Sequence, residues 1–100
     1  YDTHLGSPEH AVVLASATDF GPDMVRTKEE FGGSVIYSTP DPMVRSDIVF
    51  FETPGGGAVF SVGSISWFGA LARKGYDNDV ARMTANVVRR FADPTPFPAP

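Results

Sequence analysis

Residues 55–91 read GGGAVFSVGSISWFGALARKGYDNDVARMTANVVRRF, and the order of signals in that stretch decides the fold. A glycine turn leads into an apolar strand, Ala58 to Val62. A loop of small and hydroxyl residues follows, Gly63-Ser64-Ile65-Ser66-Trp67, and an amphipathic helix closes the stretch. Val80, Met83, Thr84, Val87, Val88 and Phe91 recur there at helical spacing and form one continuous face. Asp77 or Asn78 can cap its start by accepting a backbone N–H bond. Asp79 sits at the positive end of the helix dipole, Arg89 and Arg90 at the negative end, and Pro94 stops the helix. Strand, polar loop and helix N-terminus is the order in which α/β proteins gather ligands at strand carboxyl ends.

Upstream, Asp47 to Glu52 reads as a strand. Ile48 and Phe50 face one way and Val49 and Phe51 the other, so both faces call for cover. Thr53-Pro-Gly-Gly-Gly57 turns the chain, which predicts an antiparallel hairpin with the strand that follows. His10 to Ser16 is a continuous apolar run, and its Val12-Val13 pair favours a strand buried on both faces. Ser34 to Ser38 is a further short strand, followed by a stiff turn over Thr39-Pro40-Asp41-Pro42. Gly21-Pro22 marks another turn. Between them, Met24, Val25, Lys28 and Phe31 have helical spacing, so one or two helical turns are expected over residues 23–31. The expected organisation is a polar lead-in over residues 1–9, a single α/β unit over 10–93, and a proline-rich tail over 94–100. That tail, with Pro94, Pro96, Pro98 and Pro100, is expected to run over the surface or to be disordered. One strong helix is too little to cover a sheet that is apolar on both faces. The chain, which opens Tyr1-Asp2-Thr3-His4, therefore reads as a fragment, a processed subunit or a trimmed form, covered by other protein.

With 42% hydrophobic and 20% charged residues the chain is globular in composition. A net charge of −4 excludes the basic footprint of a nucleic-acid binder. No apolar run approaches the roughly 20 residues that span a bilayer, and with no signal-peptide pattern the cytoplasm is the expected location. There is no cysteine, so a disulfide, a thiolate nucleophile and a cysteine-ligated metal are all excluded.

Several groups invite a chemical reading, each beside a plainer one. Backbone donors and the hydroxyls of Ser64 and Ser66 can meet an anionic or carbonyl ligand, or simply permit a tight loop. Trp67 and Tyr76 bracket that loop and can line a substrate pocket, or serve as packing. Glu52 at a strand end can act as a base, or begin a solvated turn. Asp77 and Asp79 fall short of the ligand number of a calcium loop and suit capping. His4 and His10, with Asp2 and Glu9, lack a spacing that puts them on one face for zinc. No metal ligand is assigned.

The stretches VFSVGSISWFGAL and GYDNDVARMTANVVRRF, with SDIVFFETPGGGAVF and HAVVLASA upstream, resemble the C-terminal end of the N,N-dimethylformamidase large (beta) subunit family. The resemblance covers residues 10–92. It implies a domain of class I glutamine amidotransferase-like fold, with a mixed sheet, a β-hairpin and a terminal amphipathic helix. It implies also a hydrolase of substituted formamides, with iron held by two tyrosines and a glutamate that match no position here. The implied partners are the remainder of the large subunit, a small subunit and a small amide substrate, in an oligomer. True amidotransferases deliver a histidine before the last helix; here that loop reads Ser61-Val62-Gly63-Ser64-Ile65-Ser66. With the cysteine missing too, a Cys-His mechanism is excluded on this chain. Two other readings stand beside the hydrolase segment. One is a structural module of that fold, and the other is a carbohydrate-related domain with Trp67 and Tyr76 as stacking platforms.

Overall fold

The computed structural model describes the backbone of residues 1–21, 25–30, 33–40 and 44–100, and the side chains of 1–21 and 44–100. Its strands are β1 (Val12–Ala17), β2 (Val25–Glu30), β3 (Gly33–Pro40), β4 (Ser46–Glu52) and β5 (Ala58–Ser61). Two helices follow, α1 (Trp67–Leu71) and α2 (Asp79–Ala92). The chain divides into two compact units, Tyr1–Ala15 with Asp47–Pro100, and Ser16–Ser46.

The smaller unit carries β2 and β3, an antiparallel pair in which Glu30 faces Gly33 and Thr27 faces Ile36. The register shifts between Val25 and Thr27, so that Val25 faces Pro40, as a β-bulge does. The helical turns expected over residues 23–31 are not formed, because Val25–Glu30 is a strand; the rest of that stretch lies outside the described residues. A helix this short repays too little of its nucleation cost, whereas β3 offers a ladder partner immediately along the chain. Of the proline turn expected at 39–42, Thr39 and Pro40 belong instead to β3. The remaining residues of that turn, like Pro22 of the other expected turn, are outside the described set.

In the larger unit the sheet order is β1-β4-β5. The expected hairpin is present: β4 and β5 pair antiparallel, with Phe50 opposite Phe60 and Glu52 opposite Ala58. Thr53 donates to the Gly57 carbonyl at 2.9 Å and closes the glycine turn, with Gly56 at φ +79°. That left-handed conformation suits a residue without a Cβ. Directly opposed residues share a sheet face, so Phe50 and Phe60 project together. Trp67 meets Phe60 edge-on at 6.1 Å, and Phe97 meets Phe50 at 5.8 Å and Phe91 at 5.6 Å. A row of five aromatic rings thus runs along this face, from Trp67 of α1 at one end to Phe91 of α2 at the other. On the other face the His10 ring stands edge-on to Phe51 at 6.1 Å.

Two expectations about burial are corrected. The His10–Ser16 run forms β1, but β1 is exposed at all six positions, with Val12 at 53% and Leu14 at 46%. It lies at the sheet edge, and nothing in the described residues covers it. The residues Ile48–Phe51 of β4, expected buried on both faces, are only half-buried. Among the described residues no hydrophobic side chain is fully buried; the buried polar one is Asp47, which takes the Tyr1 amino group at 2.8 Å. The physical reason is the one anticipated from composition: one long helix cannot cover two apolar faces. Among the described residues no helix is long and apolar enough to cross a membrane.

Candidate functional site

The loop after β5 builds itself from its own polar atoms. Gly63 turns the chain at φ +65°. Ser64 Oγ accepts the Ser66 N–H at 3.2 Å, and the Ser64 carbonyl accepts the Trp67 N–H at 3.3 Å. Ser66 precedes α1 without a side-chain capping bond. The hydroxyl of Ser64 is thus engaged in shaping the turn. Ile65 and Phe68 project outward, 88% and 75% exposed.

Trp67 points inward. Its indole Nε1–H donates to Thr84 Oγ1 at 3.0 Å, and the Thr84 hydroxyl donates to the Val80 carbonyl at 2.8 Å. Both faces of that arrangement are structural: the ring packs on Phe60 and its polar edge is satisfied by α2. Tyr76 is placed differently. It sits in a 3-10 turn, exposed, at φ +69°, after Lys74 and Gly75, which are also left-handed. With Leu71, Ala85 and Val88 it lines an open groove along α2; Trp67 is not part of that lining.

Asn78 holds this turn. Its Oδ1 accepts the Ala81 N–H at 2.9 Å, capping α2, while its Nδ2 donates to the carbonyls of Leu71 at 3.0 Å and Arg73 at 2.8 Å. Of the two cap candidates Asn78 serves, because it occupies the residue before the first helical turn, and its amide adds two bonds that an aspartate could not give. Asp77 and Asp79 approach Arg82 at 3.7 and 3.4 Å on the surface.

Glu52 ends β4 half-buried beside the glycine turn. Its carbonyl lies 3.0 Å from His10 Nε2; a carbonyl only accepts, so that nitrogen carries the proton. In an antiparallel hairpin Glu52 belongs to the closed end and Ser64 and Ser66 to the open end. The four residues of β5 separate them by roughly 10 Å or more at strand rise. The hairpin therefore keeps carboxylate and hydroxyls apart, beyond the hydrogen-bond reach that a nucleophile and its base require.

Among the described residues no three His, Cys, Asp or Glu side chains converge to hold a metal. Of the tyrosines whose side chains are described, the Tyr1 hydroxyl donates to the Pro8 carbonyl at 3.0 Å and Tyr76 stands exposed.

Sequence reasoning missed a second cluster, at the C-terminal end of α2. Arg90 stacks 3.8 Å over the Phe97 ring and donates to the carbonyls of Thr95 at 2.9 Å and Pro96 at 3.3 Å. Asp93 Oδ1 accepts the Thr95 N–H at 2.8 Å. Hydrogen bonds from Thr95, side chain first, hold the Asp93 carboxyl below the usual carboxylate range. The signal was an aromatic residue between two prolines, which composition alone assigns to a tail.

A model of the N,N-dimethylformamidase beta subunit-like family, C-terminal part, matches residues 1–79. The chain is 38% identical over 100 residues to an N,N-dimethylformamidase beta subunit from Paracoccus aminophilus, and 36% identical to one from an Alcaligenes species. In both cases 98% of this chain aligns with 13% of the relative's length.

Proposed function

Because this chain belongs to the N,N-dimethylformamidase beta subunit-like family, C-terminal part, we propose that it works as the closing segment of an amide hydrolase acting on substituted formamides. In this reading it supports a catalytic centre built elsewhere in the subunit, where iron is held by the upstream ligands. The chain spans about 13% of the relatives' length, which leaves ample protein to supply both ligands and cover. The amidotransferase-like fold belongs to the same proposal, supported by the β4–β5 hairpin leading into α2. So do the small-subunit partner, oligomeric assembly and a cytoplasmic location.

The observation that carries the reading is the absence of a buried hydrophobic side chain among the described residues, with β1 exposed along its length. Apolar surface of this kind is stabilised by removal from water, at about 25 cal/mol per Å². The remainder of a large subunit is the natural cover.

The test uses the whole protein that carries these residues, assayed for release of amine from N,N-dimethylformamide. Glu52→Gln, Ser64→Ala and Ser66→Ala are expected to leave kcat within about threefold. Leu14→Asp on β1 is expected to reduce the yield of assembled, active protein. A loss in kcat of about a hundredfold for Glu52→Gln with assembly intact would assign the chemistry to this segment instead.

A further inference from the structure

The proline-spaced end of the chain is docked. Phe97 sits between Phe50 of β4 and Phe91 of α2, and Arg90 lies over its ring at 3.8 Å. Its N–H donates to the Gly56 carbonyl at 2.9 Å. The Arg90 guanidinium meanwhile reaches the carbonyls of both Thr95 and Pro96. A Cβ on Gly56 would stand 3.2 Å from Pro96 Cβ, so the glycine turn fits closely against the incoming segment.

We propose that the cleft between the glycine turn and the C-terminal end of α2 is a recognition site for a Thr-Pro-Phe peptide segment, occupied in cis by residues 95–97. The arrangement reads a peptide by its chemistry. Two carbonyls are taken by one planar guanidinium that also stacks on the Phe97 ring, a combination a lysine ammonium, with no planar face, cannot reproduce. The aromatic side chain is enclosed by two rings and a cation. The one N–H among Pro96 and Phe97 is matched to a backbone acceptor. Prolines at 94, 96 and 98 hold the segment extended before it docks, which lowers the entropy lost on binding. Recognition of this type is shared by modules that bind proline-rich segments. In this chain the consequence is a latch: the segment fastens the β4–β5 turn to the far end of α2, opposite the Trp67 attachment. The inference stands apart from the hydrolase reading, because every group it uses lies outside the loop and strand end considered for chemistry.

The experiment uses the whole protein carrying these residues, with a fluorescently labelled peptide of residues 93–100 as probe. Phe97→Ala is expected to speed hydrogen exchange of the Gly56 and Phe91 region by about tenfold. The peptide is expected to bind the Phe97→Ala protein at least about tenfold more tightly than the native protein, whose cleft is filled. The same peptide with alanine in place of phenylalanine should not bind. Phe97→Leu keeps apolar bulk without the π face, and should give an intermediate exchange rate in a protein that still folds. Unchanged exchange in both variants, or equal peptide binding by native and Phe97→Ala proteins, would overturn the proposal. A change of oligomeric state in Phe97→Ala would overturn the cis assignment and show the segment docking on a second copy.

Discussion

Trp67 and Thr84 are joined by a hydrogen bond from the indole Nε1–H to the threonine hydroxyl at 3.0 Å, and this bond fixes α2 beside the loop that follows β5. The same hydroxyl donates to the Val80 carbonyl, so one oxygen serves two partners on adjacent segments. Thr84→Val removes both and leaves the indole without its acceptor. The expected loss is about 1 kcal/mol of local stability, read as faster hydrogen exchange across α2, and Thr84→Ser should restore it.

Asn78 makes three bonds where a simple cap makes one. Asn78→Ala is expected to cost about 2 kcal/mol, combining a helix cap with two carbonyl partners. Asn78→Asp keeps the acceptor but loses both donated bonds, and should fall about midway. Asp77→Ala should change stability by less than about 0.5 kcal/mol. Denaturant unfolding with peptide-resolved exchange over residues 71–82 separates the three.

Gly56 takes a left-handed conformation against Pro96. An alanine there meets both the conformational cost, about 1–2 kcal/mol, and a Cβ contact at 3.2 Å. Gly56→Ala should therefore loosen the 53–57 turn and the Phe97 contact together. Gly55→Ala, with open space around its Cβ, should do neither. Exchange rates at Thr53 and Phe97 in the two variants decide it.

The Asp93 carboxyl is held below the usual carboxylate range because Thr95 donates to it, with Arg90 adding a favourable charge. A carboxyl lowered in the folded state stabilises that state above its unfolded pKa, and the contribution is lost as pH falls through the folded pKa. The Asp93–Thr95 turn should accordingly be intact at neutral pH and loosen only as pH falls below the usual carboxylate range. In Thr95→Val the Asp93 midpoint, followed by carboxyl-carbon NMR, should move upward. An unmoved midpoint would mean that the hydroxyl is not the main cause.

Much of the fold was legible residue by residue. The spacing of Val80 to Phe91 specified α2, the Thr53–Gly57 turn specified the hairpin, and the apolar runs marked β1, β3 and β4. Residues 25–30 were misread, because residues at helical spacing are compatible with either state until a partner strand is known. The short helix α1 was missed because the five residues from Trp67 to Leu71 are too few to show a helical period, and its Trp67–Thr84 bond spans 17 positions. The candidate site was legible as a set of residues but not as a geometry. Glu52 and Ser64 lie twelve positions apart in the chain, and only the hairpin shows that they stand at opposite ends of it.

By itself, then, the sequence determined the β4–β5 hairpin, the α2 face and its dipole-matched charges, the absence of thiol chemistry and the shortage of cover, since these follow from residue type and spacing. The family, too, was readable from the order of its motifs. Tertiary structure alone decided which candidate cap serves α2, that Trp67 is bonded inward to Thr84, and that the proline-spaced end is clamped by Arg90 around Phe97. Those outcomes rest on contacts between distant residues. Their energies depend on distance and direction in space, and no spacing along the chain encodes them.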